Sequence, residues 1–165
     1  MNNYLCYLFR FSETEKGLFE KMYRDYVAEL GEYSHRIKSN PITVTEINHI
    51  LNNEALMKFF ITNSAKEIVG FCLVGFGENT HAETDYYIAE FYILPEYRRS
   101  GFATAAVKKL LSMFPGKYCY HVLKENIIAR YFWDHIQKEC CCTSLSLEDT
   151  CGLKDCDFFA FERGK

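Results

Sequence analysis

Three features of this chain carry residue types that can do chemistry. The first is "LPEYRRSGFATAAVKKL" (94–110), where two arginines, a serine, a glycine and an alanine stand between an apolar run and a helical pattern. The second is Glu90, an acid set inside the otherwise apolar run "YYIAEFYIL" (86–94). Burying a carboxylate is costly unless it is paired or used. Glu90 therefore reads as a functional group, with a structural salt bridge or an exposed edge as the plain alternatives. The third is His121 in "KYCYHVL" (117–123). Imidazole titrates near neutrality and suits a proton acceptor, although a strand histidine also serves simply to pack.

Between Leu94 and Thr104 a strand is expected to end, the chain to turn and a helix to begin. The first turn of a helix has amides without intrahelical partners, and its dipole favours negative charge. Gly101 lets an anion approach the backbone closely, and Ala103 adds little obstruction. Arg98 and Arg99 bring positive charge beside those amides, the recipe for a phosphate cradle. The plain alternative is a surface helix with two solvated arginines and a turn glycine. The segment is not a mononucleotide P-loop, because no G-K-[ST] follows. It lacks the three spaced glycines of the dinucleotide fingerprint as well.

The elements that must position these residues can be read from periodicity. A strand is expected over 3–10, then a helix opened by the capping box Ser12–Glu15, with Leu18, Phe19, Met22, Tyr23, Tyr26, Val27 and Leu30 on one face. Thr43–Glu46 is a second capping box, before a short helix that turns Ile47, Ile50 and Leu51 inward. "LMKFFITN" (56–63) and "IVGFCLVGF" (68–76) read as a hairpin of buried strands, and a polar loop (77–85) leads to the strand at 86–94. A helix over 102–113 is stopped by Pro115-Gly116, and a strand comes next at 117–123. Asn126 caps a helix whose inward face is expected to carry Ile127, Ile128, Tyr131, Phe132, His135 and Ile136. Two weaker strands close the chain at 141–147 and 156–162. This order implies one domain over 1–165, a mixed sheet flanked by helices in an α/β layer arrangement.

Composition narrows the classes. With 165 residues, 48% of them apolar and 16% aromatic, the chain closes a substantial core and is not disordered. A formal charge of −3 argues against a nucleic-acid-binding surface. No apolar window is long enough for a transmembrane helix, and the N-terminus lacks a signal-peptide n-region, so a cytoplasmic location is expected. Cys6, Cys72 and Cys119 lie in apolar runs as small hydrophobes. Cys140, Cys141, Cys142, Cys151 and Cys156 cluster near the C-terminus without paired C-x-x-C units, so reduced thiols and no metal are expected.

"RRSGFA" (98–103) resembles the R/Q-x-x-G-x-G/A signature of the GCN5-related N-acetyltransferase (GNAT) superfamily, and "NIIARYFW" (126–133) resembles its second signature, N-x-x-A-x-x-F/L-Y. Both fall on the expected elements, and the element order is similar over nearly the whole chain. The resemblance implies a GNAT-type mixed, largely antiparallel sheet of six to seven strands flanked by about four helices. It implies acetyl-CoA as co-substrate, with no metal, and a small-molecule or peptide amine as acceptor; it leaves room for a homodimer. The cradle Arg98, Arg99, Ser100, Gly101, Phe102, Ala103 and Thr104 would hold the CoA pyrophosphate. The backbone of Tyr92, Ile93 and Leu94 and the side chain of Asn126 would hold the pantetheine arm.

The acceptor would enter opposite, against the early helices and the loop 77–85, where Tyr23, Tyr26 and Tyr33 can line the pocket or merely pack. Glu90, then His121, are the candidates for general base in a direct attack of the amine on the thioester. The family's tyrosine acid has Trp133 in its place, and an indole N–H is far too weak an acid. Tyr131, two residues earlier, is the remaining candidate on that helix, though it points elsewhere around it. A CoA-binding module without efficient turnover is the alternative that Trp133 raises.

Overall fold

The computed structural model describes residues 5–163. Along the chain lie β1 (Tyr7–Arg10), α1 (Lys16–Gly31), α2 (His35–Lys38), α3 (Val44–Asn52), β2 (Leu56–Thr62), β3 (Ile68–Phe76) and β4 (Tyr86–Ile93). After them come α4 (Phe102–Met113), β5 (Lys117–Leu123), α5 (Ile127–Glu139), β6 (Cys142–Leu145) and β7 (Cys156–Arg163). The strands form one seven-stranded sheet in the order β1-β2-β3-β4-β5-β7-β6. Neighbours run antiparallel except β4 and β5, which are parallel.

Helices cover both faces, as a sheet with two apolar faces requires. On one side, Val107, Leu110 and Leu111 of α4 and Trp133 and Ile136 of α5 pack on Phe59, Cys72, Ile88, Tyr118 and Tyr120. On the other, Phe19, Met22 and Tyr23 of α1 and Ile47 and Leu51 of α3 pack on Phe60, Phe71, Leu73 and Tyr92. Both capping boxes form, the first around a 3-10 turn (Glu13–Glu15) that precedes α1. All eight cysteines are free thiols. Among the described residues no helix is long and apolar enough to cross a membrane.

Some expectations need correction. β1 starts at Tyr7 rather than at residue 3, and residues 3 and 4 lie outside the described residues. α2 has no counterpart among the expected elements; Ser34 caps it by accepting from the Ile37 amide. Leu18 is exposed. The largest discrepancy is the face of α5, on which Ile127, Ile128, Tyr131 and His135 are exposed while Trp133 and Ile136 are buried, with Ala129 and Phe132 packed against the same core. The cause is aromatic packing. Trp133 lies against Tyr120 (centroids 4.7 Å apart) and Phe91 (5.7 Å), and burying the largest side chain sets the rotation of the helix.

Two irregularities in the middle of the sheet open and line a cleft. Opposite Leu73 and Val74 of β3, β4 presents Glu90 and Ile88, so Ala89 is an extra, bulged residue. A bulge bends its strand and re-aims the side chains beyond it. Ile88 and Phe91 consequently face α4 and α5, whereas Glu90 and Tyr92 face α1. β4 and β5, in turn, pair only through Tyr86–Tyr118, Tyr87–Cys119 and Ile88–Tyr120. Beyond that point the two parallel strands splay apart.

Candidate active site

The splay opens a cavity of about 500 Å³, within the size range of small-molecule sites. Its wall includes Tyr23, Tyr26, Glu90, His121, Asn126 and Trp133. Glu90 is held from α1 by two phenols: Tyr23 Oη donates to Oε1 at 3.0 Å and Tyr26 Oη donates to Oε2 at 2.7 Å. Burial raises the pKa of Glu90, and the two donors oppose that rise without cancelling it. Burial and the adjacent carboxylate push both phenols upward, so they stay protonated as donors. The result is a carboxylate fixed at the cavity wall with a heightened affinity for a proton. Sequence reasoning places Tyr23 and Tyr26 near the pocket but not on Glu90, because only the bulge at Ala89 turns Glu90 toward α1.

His121 has a 5% exposed side chain and is held at both ring nitrogens. Tyr87 Oη lies 3.2 Å from Nδ1, and Asp149 Oδ1 lies 3.2 Å from Nε2. Tyr131, the expected candidate on α5, is 71% exposed and does not line the cavity, a consequence of the phase of that helix. Trp133 is at the cavity wall but 7% exposed, part of the core. Tyr33 is absent from the wall. The loop 77–85 contributes instead to a smaller cavity of about 200 Å³ on the Tyr87 and His121 side.

Beyond the end of β4 and a short turn, α4 begins. Arg99 and Gly101 both have positive φ (59° and 82°), so the chain turns sharply into the helix. Gly101 as N-cap offers no side chain to the first-turn amides, and no acidic residue stands in that turn. Such a helix terminus favours an anion, and the first turn itself supplies no acid to it. Ser100 Oγ donates to the Arg98 carbonyl at 3.3 Å, and Arg99 is exposed. Phe102 and Ala103 pack against the small core around Ile61 and Ala106, with Thr104 half-buried beside them.

Three residues expected to face the ligand have other duties. Arg98 makes a forked ion pair with Glu29 of α1 (2.9 and 2.6 Å), donates from Nε to the Ile93 carbonyl at 2.8 Å, and lies over the Tyr92 ring. Its charge is thus largely spent on tying α1 to the end of β4. The Leu94 amide donates to the Val69 carbonyl at 2.9 Å, which removes that amide from the open side of the strand. Asn126 accepts from the Ala129 amide at 3.0 Å as the cap of α5, leaving its side-chain NH2 as the donor it can bring to the cavity it lines.

Residues 18–136 match the model of the acetyltransferase (GNAT) family. No curated protein sequence matches the chain. Among solved structures, an acetyltransferase from Thermus thermophilus superposes with a TM-score of 0.67 at 14% identity, over 97% of this chain and 98% of that one. Spermidine N-acetyltransferase from Vibrio cholerae, in complex with CoA and spermine, gives 0.61 at 13% identity, over 94% and 93%. Arabidopsis thaliana NAA60 with a bisubstrate analogue gives 0.60 at 13% identity, over 96% and 98%. At these identities the likenesses speak to the fold.

Proposed function

The chain belongs to the acetyltransferase (GNAT) family, and from that premise we propose that it transfers the acetyl group of acetyl-CoA to a primary amine of a small molecule or peptide, by direct attack in a ternary complex. The observation that carries the reading is Glu90, a proton-seeking carboxylate pinned by Tyr23 and Tyr26 on the wall of the β4–β5 splay. Two similar folds were solved with ligands of the kinds this reading needs, CoA with spermine in one and a bisubstrate analogue in the other.

In this scheme the first turn of α4 holds the pyrophosphate of acetyl-CoA and the splay receives the pantetheine arm beside Asn126. The acceptor enters from the α1 side. An amine is a nucleophile only when neutral, and Glu90 takes its proton, directly or through one water. The amine nitrogen attacks the thioester carbonyl, and a backbone amide near Tyr92 stabilises the oxyanion. The C–S bond then breaks, the electron pair leaves on sulfur, and the excess proton on the attacking nitrogen passes to solvent as the amide forms. Trp133 supplies no acid there, so the CoA thiolate departs unprotonated, which its pKa, near that of an ordinary thiol at about 8.5, permits.

A second reading, acetyl-CoA binding without turnover, rests on the same Trp133, buried in the core at the position where the family signature has its phenol. Measuring free CoA thiol across a panel of diamines, amino acids and peptide N-termini separates the two. Acetyl transfer gives amine-dependent thiol release with at least one class. Saturable acetyl-CoA binding with no release from any of them would select the binding module.

A further inference from the structure

Beside the splay, the fold gathers a second set of chemically capable side chains. A ring nitrogen of His121, an Asp149 carboxylate oxygen and Cys151 Sγ all lie within 4.8 Å of one another. His121 comes from β5, whereas Asp149 and Cys151 come from the loop between β6 and β7, so the three meet only in the folded chain. We propose that they form a binding site for a borderline-soft divalent cation of the Zn²⁺ class, with the fourth position left to water.

The donor set selects the class of ion. One imidazole, one carboxylate and one thiolate suit Zn²⁺ and its neighbours in the transition series, whereas Mg²⁺ and Ca²⁺ prefer oxygen alone. The nitrogen–oxygen spacing agrees. Bonds of about 2.0–2.1 Å to nitrogen and oxygen at tetrahedral angles put those two donors roughly 3.3–3.4 Å apart, and His121 Nε2 and Asp149 Oδ1 are 3.2 Å apart. A hydrogen bond spans the same distance when Nε2 carries a proton; with the cation in that place, the neutral ring carries its proton on Nδ1 instead, directed at Tyr87 Oη.

The surroundings support ligation. Tyr87 Oη sits 3.2 Å from His121 Nδ1 and fixes the plane of the ring, the usual outer-shell support of a metal-bound histidine. Asp149 Oδ1 also accepts from the Cys151 amide at 2.9 Å, so the D-x-C turn already holds its carboxylate and thiol on the same side. The sequence expectation of no metal rests on the lack of paired C-x-x-C units. It does not test ligands 28 residues apart that the sheet brings together.

The consequence is mechanical. Leu153 and Cys156, just beyond Cys151 in the chain, line the α1-side cavity. A cation joining β5 to this loop would hold that wall in place, and thereby influence acceptor binding while leaving the α4 cradle untouched.

Titration of the reduced full-length protein with Co²⁺ tests the site, because thiolate ligation gives a thiolate-to-cobalt charge-transfer band. One equivalent is expected to generate the band, Zn²⁺ to displace it, and Cys151→Ser and Asp149→Asn to abolish it. Tyr87→Phe should weaken binding by about tenfold. Cys141→Ser, which alters an exposed thiol outside the cluster, should leave the band unchanged. Circular dichroism shows whether each variant is folded. Absence of a stoichiometric band in the folded wild-type protein, or its persistence in folded Cys151→Ser, would overturn the proposal. Loss of the band on Cys141→Ser instead would assign cobalt to the C-terminal thiols and overturn it equally.

Discussion

Glu90 is where burial, hydrogen bonding and function meet at a single residue. Its carboxylate titrates above the ordinary range because burial outweighs the two phenol donors. In linkage terms, a carboxyl group whose folded pKa is raised binds more protons in the native state than in the unfolded one. Its contribution to stability is complete below the unfolded value and is lost as pH rises through the folded value. Glu90→Gln has no such titration. Its stability relative to wild type should therefore improve as pH rises above about 4, which urea unfolding at several pH values measures. A difference that stays constant over that range would mean that Glu90 is not desolvated in solution.

Among the elements, α4 and α5 cover the same face of the sheet and contribute differently. The start of α4 is a turn built on Arg99 and Gly101 at positive φ, with no side-chain cap and no acid in its first turn. Gly101→Asp should raise the acetyl-CoA Kd by at least about tenfold, roughly 1.4 kcal/mol. Gly101→Ala carries similar backbone strain without the charge and should lose much less; calorimetric titration of the two variants compares them. α5 is anchored by Trp133, packed on Tyr120 and Phe91. Trp133→Ala should cost about 3–5 kcal/mol in denaturant unfolding, as the removal of a buried aromatic does.

The sequence makes α4, β3 and β5 legible to the residue, because Gly, Pro and polar loops bound their apolar runs sharply. The face of α5 is not legible. Ile127, Ile128, Tyr131, Phe132 and Trp133 crowd apolar side chains around the helix, and only the rings of β4 and β5 decide which go inward. The bulge at Ala89 is equally invisible, and with it the link between Glu90 and the tyrosines of α1. His121 stands out by type, but its partners Tyr87 and Asp149 come from distant segments that no local spacing connects.

Across the molecule as a whole, one sheet carries two helical layers, and the parting of its two parallel strands gives them a shared opening. Arg98 binds the end of β4 to α1 through Glu29, so the wall that holds Glu90 is braced against the layer that supplies its phenols. A ligand filling the opening should stabilise the whole fold. Acetyl-CoA at a hundred times its Kd should add about 2.7 kcal/mol, a rise of roughly 5–10 °C in Tm for a domain of this size, and thermal unfolding with and without it reads that shift. An unchanged Tm at a saturating concentration would count against the opening as the donor site.

In the proposed reaction everything turns on Glu90 removing the proton from the acceptor amine. The decisive measurement is the pH dependence of kcat/KM, compared between wild type and Glu90→Gln with an amine that supports turnover. Wild type should show an acid limb with its midpoint above the ordinary carboxylate range, and the variant should lack the limb and be about 10²–10⁴-fold slower. A folded Glu90→Gln protein with wild-type kcat/KM and an unaltered acid limb would rule Glu90 out as the base.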